Sequence, residues 1–512
     1  MTGLLGIVRP GSIVTPDVDW LAVAPVLSLA GAGVLIVLLR AMLRRRAVAD
    51  PVALVVAFLG TLSAGGTLTW QWLHVHDHGS TLTMAGMVRV DAFAVFLGIL
   101  VVAALFLALL LSTSYVHPEG LEGPEYYALL TLASAAMLVM TTANNLIVIF
   151  VALEALSIPL YVLVAFDRRR FASQEAGIKY FVLGSFASAV FLYGVALVYG
   201  ATGSTSLTEI ARFLAHNTLF DDGTLLAGLA LLIVGLGFKI SAVPFHMWTP
   251  DVYQGAPSPV TAFMSSATKV AGFAAFLRVL LVAFPLYRTD WRPVIMALAT
   301  LSLLVGTAAA VVQTDIKRAL AYSSIANAGY ILIGFAAAGV DDVAAANRGL
   351  ASALFYLFTY TFMTIGAFAV VTVVARRSGD SRHSIDSYRG LSHRAPVLAA
   401  FLTFFLLAQA GVPLTGGFVA KLQVFSASVD AGEYWLTIVG VLAAVVLAAF
   451  YLRVTVAIFS TDGEDATAGR SRALRMGLTT GLVLVATAVM VILLGIVPGP
   501  FLHFARDATS LV

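Results

Sequence analysis

A chain of 512 residues that is 60% hydrophobic and only 11% charged has the composition of an integral membrane protein almost throughout, and leaves no room for a large aqueous domain. A net charge of +3, with basic residues scattered through short loops, argues against a nucleic-acid partner. The absence of cysteine excludes disulfides, thiol catalysis and thiolate-held iron–sulfur clusters; of the nine histidines only His246 adjoins an apolar core, so a bis-histidine haem has no ligands and the chain moves no electrons itself.

At about 20 apolar residues per span, the sequence predicts fourteen segments: 20–39, 52–73, 91–111, 126–142, 145–166, 175–200, 224–248, 258–284, 293–313, 316–339, 347–375, 396–427, 433–459 and 474–498. The first run, from Trp20 to Leu39, is of full spanning length and ends in Arg40, Arg44, Arg45 and Arg46 rather than a small-residue cleavage site, so it reads as a retained helix and not a removable signal. Helices rather than strands are required, because backbone in lipid must be bonded within its own segment and the alternating pattern of a barrel is absent. The expected fold class is therefore an all-α integral membrane protein.

Basic residues set the orientation. Loops after odd-numbered segments hold 17 of them: Arg40, Arg44 to Arg46, Arg168 to Arg170, Lys317, Arg318, Arg376, Arg377, Arg382, Arg389, Arg394, Arg470, Arg472 and Arg475. The opposite side, with both termini, holds seven: Arg9, Arg89, Arg212, Arg288, Arg292, Arg348 and Arg506. The positive-inside rule places the odd loops in the cytoplasm and both termini outside.

Only five lysines occur, and four of them, Lys179, Lys239, Lys269 and Lys421, lie within apolar runs, with Glu154 at similar depth. A charge near the centre of a spanning helix costs roughly 2.5 to 3.5 kcal/mol, so these positions are expected to carry function. Lysine can take up and release a proton when its surroundings change, which arginine cannot do.

Two segments are interrupted beside a lysine. Segment 7 reads GLGFKISAVPFHMW, with Pro244 after Lys239; segment 12 reads AQAGVPLTGGFVAKLQVF, with Pro413, Gly416 and Gly417 before Lys421. Segments 7 and 12 differ by five, an odd number, so a five-helix repeat (segments 4 to 8 and 9 to 13) is inverted across the membrane. Broken helices at matching positions of inverted halves point to an ion pathway near the bilayer midplane. The expected organisation is three N-terminal helices over 1–124, repeats over 125–284 and 285–460, and a last helix and tail over 461–512.

Five ordered stretches carry a family resemblance: FVALEALSIPLYVLVAF around Glu154, KISAVPFHMWTPDVYQGAPSPVTAFMSSATK from Lys239 to Lys269, DIKRALAYSSIANAGYILIGF from Asp315, YLFTYTFMTIGAF from Tyr356 and GVPLTGGFVAKLQVF from Gly411. Over residues 125 to 460 the chain resembles the antiporter-like membrane subunits of respiratory complex I and their relatives in multisubunit sodium/proton antiporters. The resemblance implies that Glu154 pairs with Lys239, that Lys269 bridges the two halves, and that Lys421 exchanges protons with the outside. It implies translocation of protons coupled to NADH oxidation and quinone reduction, with FMN, iron–sulfur clusters and quinone in partner subunits, no cofactor in this chain, and neighbouring membrane-arm subunits as partners. Lysine at 421, and a chain that ends 14 residues after Pro498, fit the branch without a long lateral helix. Where the family commonly has histidine in segment 10, this chain has Asn327, which orients water but does not titrate. A subunit of a sodium/proton antiporter and a structural scaffold of the membrane arm are the alternatives.

For Glu154 and Lys239 about 8 Å apart at an effective dielectric near 20, the interaction is about 2 kcal/mol, enough to switch protonation; a permanent structural ion pair is the competing reading. Lys179, beside the Arg168 to Arg170 loop, either joins the relay or snorkels to the cytoplasmic surface. His246 either passes protons or caps the broken helix. Tyr356, Tyr360 and Thr364 form a polar stripe on segment 11 that orders water or packs helices. His74, His76, Asp77 and His78 resemble a metal-binding cluster but read as a solvated outer loop, and Glu119, Glu122 and Glu125 as a solvated cytoplasmic one.

Overall fold

A computed structural model describes residues 17–43, 46–218, 221–375, 383–460, 476–509 and 511. Of the basic residues used for orientation, Arg9, Arg44, Arg45, Arg376, Arg377, Arg382, Arg470, Arg472 and Arg475 lie outside these. The chain is almost wholly helical: α1 (Trp20–Met42), α2 (Arg46–His78), α3 (Ala92–Thr113), α4 (Pro124–Thr142), α5 (Leu146–Val164), α6 (Phe171–Thr202), α7 (Leu207–His216), α8 (Gly223–Ile240), α9 (Trp248–Gly255), α10 (Ser258–Ala283), α11 (Arg288–Val312), α12 (Ile316–Ala337), α13 (Val343–Ala375), α14 (Pro396–Ala410), α15 (Gly416–Asp430), α16 (Tyr434–Phe459), α17 (Leu478–Ile496) and α18 (Gly499–Asp507). Among the described residues twelve helices are long and apolar enough to cross a membrane. A two-stranded hairpin, Thr81–Thr83 with Val88–Val90, joins α2 to α3.

Short polar residues start the helices where apolar runs begin. Asp19, Asp91, Asn145, Ser206 and Asp315 each turn a side-chain oxygen onto amides of the first turn, satisfying donors that no preceding residue can reach. The His74–His78 stretch is helical and not a loop: α2 runs on to His78, with the rings of Trp70, His74 and His78 stacked along one side at 4.8 and 4.3 Å and the His76 ring turned toward Asp507. Ring stacking at i, i+4 supports the helix where the sequence looks merely polar. No group of three or more metal-ligating side chains forms among the described residues.

Burial sorts the helices into shells. α10, α12 and α13 are buried almost throughout and α3 largely so, while α1, α2, α6 and α16 turn long apolar faces outward. Small residues permit the tight packing between them: a Cβ on Gly306 of α11 would come within 2.7 Å of the Ala326 amide of α12. Alternate connections gather on opposite faces. On one face Arg40 meets Glu125, Arg169 donates to the Glu119 carbonyl, and Asp315 bridges to Ser384. On the other, Asn145 bridges to Ser206, Arg292 pairs with Glu433 and Arg348 with Asp430.

Both expected breaks are present, in altered form. α8 ends one residue after Lys239, where Ser241 takes a left-handed conformation (φ 63°), and the chain crosses Pro244 into the short α9. The predicted segment 396–427 is two helices of fifteen residues, too short at about 22 Å each to cross a 30 Å core alone. The left-handed residues of this second break are Gly411 (φ 92°) and Leu414 (φ 70°), not Gly416 or Gly417. Those two glycines begin α15 and are small for packing: a Cβ on Gly417 would lie 1.9 Å from the Ala408 carbonyl oxygen, and one on Gly416 2.8 Å from Leu494.

Candidate functional site

Lys239, Lys269 and Lys421 are all buried, at 2%, 2% and 5% exposure, and each amine is held differently. Lys239, in the last turn of α8, donates to Ser157 Oγ of α5 at 2.8 Å, with Tyr180 OH of α6 at 3.5 Å. Lys269 follows a stretch of α10 wound as π-helix, Met264–Thr268, and donates to the Ser324 carbonyl of α12 at 2.6 Å, with its amine 5.9 Å from the Tyr360 ring centre. A π-turn in a membrane helix frees backbone groups and is common at functional sites. Lys421, in α15, reaches back across the second break to the carbonyls of Gln409 (2.9 Å) and Ala410 (2.8 Å), and lies 5.0 Å from the Tyr330 ring centre. An ammonium at the negative end of α14 satisfies two carbonyls that have lost their amide partners.

The expected Glu154–Lys239 pair is not a direct salt bridge. Ser157, one turn along α5, takes the amine, and Glu154 stays within electrostatic reach while its Oε1 has no hydrogen-bond partner. Its neighbours one turn away on either side, Val151 and Ile158, are exposed, while Glu154 is half-buried with Oε1 closed off from solvent, so it stands at the edge between the core and the outward face of α5.

Between Lys269 and Lys421 lies a chain of neutral polar groups. Tyr360 OH donates to Ser324 Oγ (2.7 Å), whose main chain holds Lys269. Next to Ser324, Ser323 Oγ bonds Tyr451 OH (2.5 Å); both bond Gln409 Oε1 at 3.3 Å, and the main-chain carbonyl of Gln409 holds Lys421. Asn327 sits beside this chain, donating to the Ser323 carbonyl and accepting from Tyr356 OH at 2.8 Å each. The polar stripe of α13 thus faces this cluster through Tyr356 and Tyr360, while Thr364 Oγ1 and Gln409 Nε2 are buried without partners.

Lys179 stands apart from these three. Its side chain is 42% exposed and bridges Glu175 (2.6 Å) and Asp251 (2.7 Å), and Asp251 also takes Arg318. Burial works against the charge on Asp251, and the hydrogen bonds from Lys179 and Arg318 outweigh it, holding that carboxyl below its usual range. His246 is half-buried beyond the first break with Nδ1 unpartnered. There the capping is done by Trp248, whose Nε1 donates to the Phe238 carbonyl at 3.0 Å. Glu122 pairs with His117, and Glu125 lies in the first turn of α4 facing Arg40.

Three features escape sequence reasoning. Lys317, expected in a cytoplasmic loop, is fully buried, its amine 2.6 Å from the Ala256 carbonyl. Arg278 of α10 makes a two-pronged bond to Asp91, both distances 2.8 Å, and donates to the Thr141 carbonyl at the end of α4; both partners are buried. Ser323, Gln409 and Tyr451 bear no charge, so nothing in an apolar run marks them. For Lys317 and Arg278 the signal was a charge within or at the edge of an apolar run.

Residues 143–447 match the family described as NADH:quinone oxidoreductase/Mrp antiporter, TM. The chain is 42% identical over 527 aligned positions to NADH-quinone oxidoreductase subunit N of Salinispora arenicola, covering 97% of this chain and 99% of that one. Its fold superposes on a chain of respiratory complex I from Thermus thermophilus with a TM-score of 0.76 at 32% identity, covering 94% of this chain and 98% of that one. A chain of the Mrp complex from Dietzia sp. shares the fold with a TM-score of 0.82 at 22% identity, covering 96% and 97%.

Proposed function

The chain belongs to the NADH:quinone oxidoreductase/Mrp antiporter transmembrane family, and on that premise we infer that it is a proton-translocating membrane subunit of an NADH:quinone oxidoreductase, on the subunit N branch. It is catalytic only as part of that complex. FMN, iron–sulfur clusters and quinone belong to partner subunits, in keeping with a chain that has no cysteine. The observation that carries the reading is the run of buried polar groups between Lys269 and Lys421: Ser324, whose carbonyl holds Lys269, stands next to Ser323 on α12, and Ser323 and Tyr451 bond the side chain of Gln409, whose main-chain carbonyl holds Lys421.

In the mechanism we propose, charge arriving from a neighbouring subunit acts on Glu154, which stands half-buried beside the exposed Val151 and Ile158 of α5. A change at Glu154 alters the hold on Lys239, which gives its proton through water, with His246 nearby, toward Lys269. Hydroxyls of Ser324, Ser323 and Tyr451 then order the path to Lys421, which releases a proton outside. With an amide at Asn327, that position orients the path and does not store the proton. Lys179 serves the cytoplasmic entrance, tied to Asp251 and Arg318.

We place both termini on the periplasmic side of a bacterial plasma membrane. With buried Lys317 removed from the count, sixteen basic residues still face seven. We read 125–284 and 285–460 as inverted repeats, supported by the two breaks: Ser241 before Val243 and Pro244, and Gly411 before Val412 and Pro413, are both left-handed. Helices of 1–124 precede them, and 461–512 follows.

The test is Lys239→Ala in the whole complex, assayed in membrane vesicles. Pumping should be abolished or severely reduced while assembly stays detectable on native gels. Full pumping at ordinary quinone reductase rates would sink the relay.

A further inference from the structure

Lys317 is a buried titratable group for which the relay just described has no use. It is the second residue of α12, and its exposure is 0%. Asp315 caps the helix start, accepting from the amides of Lys317 and Arg318, and its other carboxylate oxygen accepts from Gln254 at 2.8 Å. Arg318, the next residue, points outward to Asp251 and Gln254. Lys317 points inward, to the carbonyl of Ala256 between α9 and α10, with Arg170 and Asp315 as the charged groups near it. One turn of helix thus sends one cation to the surface cluster and one into the core.

The direction of the inward one matters. Ser324 lies seven residues further along α12, two turns or about 10.5 Å on the same face, and the Ser324 carbonyl holds the Lys269 amine. Tyr253, three residues before Ala256, brings its hydroxyl to 3.4 Å from Ser324 Oγ. Lys317 therefore stands at one end of a face of α12 whose other end, Ser324, holds Lys269 of α10, with a buried phenol beside it. At the other end, the surface cluster of Lys179, Glu175, Asp251, Arg318, Gln254 and Asp315 supplies a polar approach from the face that holds the odd-numbered connections.

We propose that Lys317 is the loading residue of the central relay: it takes a proton from water at the Asp251–Gln254–Asp315 cluster and delivers it, past Tyr253 and Ser324, to Lys269. The step is a proton transfer alone. The Lys317 ammonium gives up one proton to become an amine, the Lys269 amine becomes an ammonium, and water on the cluster side restores Lys317. This rests on the reading that Lys269 relays protons.

A purely mechanical role predicts something else. If the amine only fastens the α9–α10 connection by holding the Ala256 carbonyl, any donor of similar reach does as well. The experiment compares Lys317→Arg and Lys317→Gln in the intact complex in vesicles, reading the initial rate of NADH-driven vesicle acidification, with native gels for assembly and NADH oxidation by a water-soluble acceptor as control. Both variants keep a donor for the carbonyl, and neither releases and retakes a proton as lysine does. Loading predicts assembled complexes, an unchanged control rate and pumping about tenfold lower in both, a barrier change of roughly 1.4 kcal/mol. Parent-level pumping in either variant overturns the proposal and assigns the amine to fastening, and loss of assembly in both overturns it too, showing that lysine is needed there for folding. Lys269→Ala is run beside them: normal pumping there removes the relay itself, whereas impaired pumping there with a normal Lys317→Arg removes only the loading role.

Discussion

Lys421 holds the main-chain carbonyl of Gln409 at 2.9 Å, twelve residues back and on the other side of a break in the helix. The amine that exchanges protons in the proposed relay is thus also the group that satisfies the end of α14. Gaining or losing a proton at Lys421 changes how firmly that helix end is held, because an ammonium bonds a carbonyl more strongly than an amine does.

Arginine at this position keeps the charge and the donors but holds its proton too tightly to deliver it. Lys421→Arg is expected to lower pumping about tenfold, nearly as much as Lys421→Ala, with assembly retained for arginine. Quinone reductase rate and vesicle acidification, measured on equally assembled complexes, check this. An arginine variant that pumps normally refutes proton transfer at 421.

Gln409→Leu removes the side-chain oxygen that gathers Ser323 and Tyr451 while leaving the backbone carbonyl for Lys421. Two buried hydroxyls lose an acceptor, at a cost of about 1–3 kcal/mol each unless they re-pair. Pumping should fall about tenfold with the complex still assembled. A leucine variant that pumps at the parent rate moves the handover away from Gln409.

Asp91→Ala leaves Arg278 buried without its carboxylate, which costs about 3–5 kcal/mol. Native gels should show little assembled complex. Adding Arg278→Met to the same chain removes the stranded charge and should restore assembly. Normal assembly of the single variant would mean that the guanidinium finds other anions.

Glu154→Gln keeps hydrogen bonding but removes the charge that Lys239 feels across Ser157. A loss milder than that of Lys239→Ala is expected, about two- to tenfold, from about pH 6 to 8. Wild-type pumping over that range would leave Glu154 without a part in coupling.

The membrane fold was readable because lipid demands long apolar runs and nothing else in a sequence looks like them. The breaks were readable from Pro244 and Pro413, but the left-handed residues fall at Ser241, Gly411 and Leu414, and the reason for Gly416 and Gly417 is close approach to Leu494 and Ala408, which only the packed chain reveals. His74 to His78 looked like a loop because polar residues end a hydropathy plot before they end a helix. Lys317 looked like a loop charge because Asp315 and Arg318 flank it; which way each of two adjacent cations points depends on the neighbouring helix. The links from Ser323 to Gln409 and from Asp91 to Arg278 join residues 86 and 187 positions apart, and no local pattern encodes such a pairing.

The short helix α18 follows the spans and folds back over the molecule. Phe504 lies 4.3 Å, centre to centre, from Trp72 of α2 and 4.7 Å from Phe96 of α3, and Phe501 lies 5.7 Å from Phe358 of α13. A late helix therefore roofs parts of the early α2 and α3 and of the central α13. A chain threaded into the membrane in order of synthesis carries those aromatic ends uncovered through the insertion of every intervening span. The interior closes only once α18 has emerged, so the time those rings stay exposed during biogenesis scales with the length of chain from α2 to α18 and not with the distance between neighbouring helices.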